Sequence, residues 1–335
     1  MTAPTLDVIA IGNAIVDVMA PAEDSAIARL GLAKGGMTLV DTARAAELYA
    51  AMGPAKEISG GSAANTLAGL AALGARCAFI GQVADDQLGE VFAHDIRAGG
   101  IAFDTPARPI AGDADPPTAR CLIFVTPDGQ RTMNTFLGAA QFLPETALDR
   151  ALIESSALLY LEGYLWNADD SRAAMRRAID IARAAGRKVA LTLSEVFVVD
   201  RHRDEFFALI DEGAIDLLFA NDTEIAAMAK TDDVARAVQT IAARVPTLVC
   251  THGARGAEAH SVGAHARVPA EPVDKVVDTT GAGDLFAAGF LFGHVRDRPL
   301  AECLRMGAIC AAEIISHYGA RPEADLKGLV ADKLR

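Results

Sequence analysis

The chain has 335 residues, 51% of them hydrophobic, and a net charge of −13 at pH 7. It can bury a large core, and it lacks the basic tract that a nucleic-acid surface needs. No apolar run reaches membrane-spanning length, and the polar start of the chain reads as no secretory leader. Five scattered cysteines without CxxC spacing read as reduced thiols of a cytoplasmic protein rather than as disulfides or metal ligands.

Leu6 to Ile11 is a short apolar run that ends in Gly12-Asn13 and reads as a buried first strand. In the extended stretch that follows, Asn13, Ile15 and Asp17 share a face, an arrangement able to grasp vicinal hydroxyls beside an apolar surface. Strand-edge polarity is the structural alternative. A helix near 23–31 closes at Gly31, Met37 to Val40 reads as a strand, and a helix near 42–52 ends at Gly53-Pro54. Gly60 and Gly61 permit close backbone approach, and Ser62 caps a helix with a Leu67, Leu70, Leu73 stripe that stops at Gly74. Asn65, on its first turn, faces the mouth where the glycines lie. Ser62 is not the serine of a G-x-S-x-G elbow, so a hydrolase is discounted.

A strand at 77–83 and a helix at 87–98 precede a proline-rich loop at 104–117. Residues 120–126 and 131–136 alternate around Pro127-Asp128-Gly129 and read as a β-hairpin that projects as a lid or edge. Arg131, just past the turn, is a candidate phosphate contact. From 157 onward, strands (157–162, 187–193, 215–220, 246–251) alternate with helices (169–185, 202–211, 222–229, 232–244). This order implies a mostly parallel sheet with helices on both faces, and a site beyond the carboxyl ends of its strands. Glu162, Tyr164, Asn221, Glu224, Thr251, Gly253 and Gly256 lie there. Asn221-x-x-Glu224 offers hard oxygen ligands for Mg²⁺ on one face of a first helical turn, or an ordinary capping box. No P-loop pattern exists, and the seven histidines are dispersed, each with a structural reading.

Asp278-Thr279-Thr280-Gly281-Ala282-Gly283-Asp284 runs into a helical pattern, so Gly281, Ala282 and Gly283 sit at a helix N-terminus with unpaired amides and a positive dipole end. An anion held by those amides beside the Asp284 carboxylate suggests phosphoryl transfer, with Asp284 accepting a proton. A capped core helix is the alternative. A buried helix from Pro299 and a short surface helix in the tail beyond Arg321 complete the chain.

Gly60 to Asn65, continuing through Gly81, Asp85 and Gly89, and Asp278 to Asp284 resemble the two signatures of the ribokinase-like (PfkB) carbohydrate and nucleoside kinases, over roughly residues 6 to 322. Gly12 to Asp17, Leu191 to Phe197, Phe219 to Glu224 and Pro299 to Cys303 are most similar to the adenosine kinases among them. The resemblance implies a three-layer α/β/α fold, one domain over 1–335, and a small β-lid from about 13–20, 35–41 and 118–137. It implies ATP and Mg²⁺, leaves room for a monovalent cation such as K⁺, and implies a cytoplasmic purine-salvage kinase, monomer or homodimer, that makes AMP from adenosine. Asp17, Gly60, Gly61 and Asn65 are then expected at the ribose, and Asn13, Ile15, Leu39, Phe136 and Tyr164 near the base. Asp284 is expected as the general base, Gly281 to Gly283 as the anion hole, and Asn221 and Glu224 at Mg²⁺. Thr251, Gly253, Gly256, Asp278 and Thr279 are expected along ATP. Glu162 departs from this pattern; an acid near that place in some sugar kinases keeps a free sugar open as the acceptor. A nucleoside-binding sensor without activity is the non-enzyme alternative.

Overall fold

Alternation along the first strand, Leu6–Ile11, sets the layering: Val8 and Ala10 pack into one apolar cluster, Ile9 and Ile11 into another on the opposite face. The same division recurs at Leu158 and Tyr160 against Leu159 and Leu161, and at Leu217 and Phe219 against Leu218 and Ala220. A strand buried on both faces reads as a continuous apolar run, which is why these segments carry little polar alternation. In the computed structural model, which describes residues 4–112 and 115–335, the large sheet has nine strands. From one edge they run Ala264–Val268, Ala257–Ser261, Thr247–Thr251, Leu217–Asn221, Lys188–Thr192, Ser156–Glu162, Leu6–Ile11, Cys77–Ile80 and Ile101–Ala102. All neighbours are parallel except the two pairings that add the 257–268 hairpin. Helices Ser62–Ala72, Gln87–Ala98, Ala282–His294 and Leu300–Ile314 cover one face, and Asp169–Ala184, Val196–Asp211, Asp222–Ala229 and Val234–Ala242 the other. The three-layer α/β/α expectation holds.

A second sheet of five strands lies in the order Met37–Leu39, Arg131–Phe136, Ala119–Val125, Ile15–Pro21, Lys56–Gly60. It contains the expected lid segments and one strand more, Lys56–Gly60, whose pairing with Ile15–Pro21 places Gly60 opposite Ile15. The 257–268 hairpin was also absent from the sequence reading, because its short strands alternate around Gly263 without a strong apolar run. The helix expected from 202 begins at Val196, and the break at His202 (φ −122°, ψ 17°) marks where the pattern had placed its start. In the proline-rich loop, residues 113 and 114 lie outside the described residues, as do residues 1–3 of the polar start. The tail is more than a surface helix: Leu326 and Val330 are buried. Ahead of it, the Arg321 guanidinium donates to the carbonyls of Ser59 and Ala64, clipping the chain end to the entry of helix Ser62–Ala72. All five cysteines are free and buried. Among the described residues, no helix is long and apolar enough to cross a membrane.

Candidate active site

Two helices start at the same cavity. Gly61 precedes Ser62–Ala72 with φ +99°, and a Cβ there would lie 2.2 Å from the Asn13 carbonyl oxygen, so no other residue fits without moving the first strand's end. Gly281 precedes Ala282–His294 with φ +77°, a left-handed turn that aims the first amides of that helix at the cavity. Ala282 N–H donates back to the Thr279 carbonyl at 3.2 Å, so among the turn's three residues its amide is already engaged. Gly283 is exposed, and a Cβ there would meet no protein atom within 4 Å, which leaves its backbone open to a ligand.

The helix starts meet through side chains. Asp284 accepts from Ser62 Oγ at 2.6 Å and from Asn65 Nδ2 at 3.0 Å. Burial pushes its carboxyl up to about 6, while these two donors and the Arg321 charge pull the other way. Asn65 Oδ1 is buried with no protein partner, an acceptor that fits a ligand hydroxyl. Asp17 lies on the small sheet, and burial raises its carboxyl to about 6 against Arg321 and Arg131, with Asp284 adding to the rise. Gly60 is packed under it: a Cβ there would lie 2.6 Å from the Asp17 carboxylate.

Glu162 is fully buried at the end of its strand. Its Oε1 accepts from Asn13 N at 2.8 Å and Asn13 Nδ2 at 2.5 Å, and its Oε2 accepts from Ala63 N at 2.8 Å. Burial raises it to about 7 in spite of these three donors, and Asp284 adds to the rise. Both oxygens are thus committed to protein groups, tying the first strand's end to the start of helix Ser62–Ala72.

The cavity, about 690 Å³, is lined by Asn13, Ile15, Asp17, Leu39, Gly61, Asn65, Glu162, Tyr164, Asn221, Glu224, Thr251, Thr279 and residues 281–284 among the positions expected from sequence. The size suits a small ligand. Phe136, Gly60, Gly253, Gly256, Asp278 and Arg131 do not line it. Phe136 is turned into the core, under the Arg120 guanidinium, because its strand position faces away from the cavity. Arg131 is buried in an ion pair with Asp278 at 2.9 Å and lies over the Tyr318 ring. Asp278 also accepts from Thr280 and Gly319, so this pair ties the hairpin to the anion turn, and both charges are spent on each other. Gly256 has a packing reason: a Cβ there would lie 2.0 Å from the Val268 carbonyl oxygen.

Several lining residues were missed from the sequence. Ser62, expected as the cap, is instead the first residue of its helix behind Gly61, and its hydroxyl donates to Asp284 rather than to a backbone amide. Met37, Cys121, Ile123, Met133 and Leu137 join Ile15 and Leu39 in an apolar wall, and Tyr164 stands 6.3 Å from Phe197, ring centre to ring centre. Arg201 also lines the cavity, and so do Ser194 and Glu195, which follow a strand end where the sequence places a site. The φ of +68° at Ser194 was invisible in a pattern of apolar periods.

Asn221 and Glu224 form a complete capping box: Asn221 Oδ1 accepts from Thr223 N and Glu224 N, and Glu224 accepts from Asn221 N at 3.0 Å and Nδ2 at 2.7 Å. Burial raises the Glu224 carboxyl to about 7, with Glu195 adding to the rise. With these oxygens engaged in the box, the pair fits a hard dication through bridging water rather than by direct ligation, with Glu195 as a second acid in the cavity lining.

The pattern described as pfkB family carbohydrate kinase matches residues 27–326. The adenosine kinase of Sinorhizobium meliloti superimposes with a TM-score of 0.89 at 45% identity, covering 98% of this chain and 99% of that one. A probable sugar kinase from Rhizobium etli superimposes with a TM-score of 0.90 at 41% identity, again over 98% and 99%. The curated adenosine kinase of Saccharomyces cerevisiae is 27% identical over 95% of this chain and 96% of its own length. The chain belongs to the pfkB family of carbohydrate kinases and is a phosphotransferase that acts on an alcohol group.

Proposed function

We propose that the chain transfers the γ-phosphoryl group of ATP to the 5′-hydroxyl of a nucleoside, adenosine giving AMP. The observation that carries the choice of a nucleoside is the pair of apolar walls. Ile15, Leu39 and Ile123 face the cavity from the small sheet and Leu137 from just beyond its strand Arg131–Phe136, and Tyr164 and Phe197 line it as an aromatic pair, a lining suited to a planar base. Glu162 supports the same choice, since its oxygens are taken by Asn13 and Ala63 and do not wait for a sugar hydroxyl. The reading treats 1–335 as one kinase domain with the five-stranded sheet as its lid.

In this reading Asp17 and Asn65 accept from the ribose hydroxyls, and Asp284 takes the proton of the 5′-hydroxyl as that oxygen bonds to the γ-phosphorus. The bond from the γ-phosphorus to the bridging oxygen breaks, and ADP leaves. The open amides of the glycine turn stabilise the charge on the transferring group, and Thr251 and Thr279 lie along the nucleotide. Mg²⁺, held through Asn221 and Glu224, would supply charge neutralisation on the phosphates. Catalysis is then mainly positioning and electrostatics.

The test is ADP release with Mg-ATP against adenosine, inosine, guanosine, cytidine, ribose and fructose. Adenosine is expected to turn over with the highest kcat/KM. Preferential turnover of ribose or fructose would overturn the nucleoside reading and leave the phosphotransferase. Replacing K⁺ with Na⁺ in the same assay reads the monovalent-cation requirement, and sedimentation reads monomer against homodimer.

A further inference from the structure

Away from the cavity, the hairpin Ala257–Ser261 and Ala264–Val268 closes one edge of the large sheet. Alternation sends Ala257 and Ala259 into the core, so Glu258 and His260 point to the other face. His265 lies directly opposite His260 in the antiparallel register, and the two rings stack with centres 4.2 Å apart at 29°. Both Nε2 atoms reach the same oxygen, Glu258 Oε2, at 3.1 Å. The other oxygen, Oε1, is held by His252 Nε2 at 3.0 Å, and His252 Nδ1 is held by Asp222 at 2.5 Å.

We propose that Glu258, His260 and His265 form a binding site for a transition-metal dication of the Zn²⁺ type. The three ligand atoms lie within 4.8 Å of one another. A Zn²⁺ ion about 2.0–2.2 Å from each nitrogen and oxygen needs its ligand atoms to be only a few ångströms apart, so a small movement suffices. Imidazole and carboxylate are donors such ions take, and the ladder register fixes both histidines before any ion arrives. His252 and Asp222 steady the carboxylate from behind, as outer partners do at metal centres. Glu258's ion-pair partners among the described residues are all histidines, so no lysine or arginine competes for its charge. His265 is 53% exposed, which opens the site to entry and leaves a position for water. A neighbouring set, Asp222, Cys250 and His252, is a poorer candidate. Burial pushes the Cys250 thiol far up, away from the thiolate a metal needs, and His252 is committed on both nitrogens.

The experiment is calorimetric titration of the full chain with ZnCl₂ in the absence of nucleotide, with Co²⁺ absorption as a second readout. One equivalent is expected to bind. His260→Ala and His265→Ala are each expected to weaken binding by about 100-fold or more while kinase turnover is retained, and Cys250→Ala is expected to leave binding unchanged. No saturable binding to the wild-type chain, or binding that survives both histidine variants, overturns the proposal. Loss of binding in Cys250→Ala overturns it as well, by moving the ion to the inner set.

Discussion

On the floor of the cavity, Asp284, Asn65, Ser62, Glu162 and Asn13 hold one another or the backbone around them through hydrogen bonds of 2.5–3.0 Å. The small sheet covers this floor with Ile15, Leu39, Met37 and Ile123, of which Leu39 and Met37 are 51% and 42% exposed. The floor rests on directional bonds among buried groups, where a missing partner leaves an unsatisfied atom. The wall rests on apolar area, which is non-directional and tolerates a change of shape. Loss of a floor group should therefore cost rate or acceptor positioning sharply, and loss of wall area only acceptor affinity and base preference.

The most severe break is Asp284→Asn, which keeps the shape and removes the carboxylate proposed to take the acceptor's proton. We expect kcat to fall by about 10²–10⁴-fold with acceptor and ATP still bound. Single-turnover kinetics with near-normal chemistry would remove Asp284 from the base role. The wild-type rate should also climb through about pH 6, because the raised Asp284 carboxyl is protonated and unable to accept below it. A flat profile between pH 5 and 7 would count against the same assignment.

Next is Asp17→Ala, expected to raise acceptor KM by about 10²-fold with little change in ATP KM, as expected for a lost hydrogen bond to a charged group. Equal effects on both substrates would place Asp17 elsewhere. Glu162→Gln should act more gently and indirectly. Its amide nitrogen cannot accept from Asn13 or Ala63, so Asn13 loosens and acceptor KM rises about 10-fold, the size of one strained buried hydrogen bond. A change confined to ATP KM would contradict this positioning role.

The smallest effect is expected from Leu39→Ala, a cost of about 0.5–1 kcal/mol in acceptor binding with kcat unchanged, since the side chain is half exposed before the acceptor arrives and only part of it is newly buried. A kcat loss as large as that of Asp284→Asn would erase the contrast between floor and wall.

The floor also carries a stability signature. Asp17 and Asp284 are raised to about 6, and Glu162 and Glu224 to about 7. The folded chain therefore holds these protons more tightly than the unfolded chain, and the ligand-free protein should lose stability as pH rises from about 4 to 7. His294, lowered by burial, acts in the opposite direction, and the lowered carboxyls of Asp7, Asp128, Glu205 and Glu258 do so only at and below the ordinary carboxylate range. Thermal unfolding at pH 5 and at pH 7.5 reads the sign, and a higher Tm at pH 7.5 would contradict the buried-carboxylate account.

Much of the layering was legible because it is written in short-range periods. The apolar runs at 6–11, 157–162, 187–193, 215–220 and 246–251 became strands of the large sheet, and the glycine turns at 60–61 and 281–283 became helix starts at the cavity. Phe136 misled for the same local reason: in a hairpin strand, adjacent residues face opposite sides, and only the packing of the sheet decides which side is the cavity. Arg131 looked free beside a turn, but Asp278, its partner, is far along the chain.

By itself, the sequence determined the alternation of strands and helices, the two glycine turns and the carboxylate beside the second, since each depends on neighbours a few residues away. Only the tertiary structure decided that Glu162 serves Asn13, 149 residues earlier, and that Ser62 holds Asp284 across 222 residues. It also gathered three histidines around Glu258. Hydrogen bonds and burial act through space, so a side chain's partner is set by the packing of elements whose order along the chain carries no such distance.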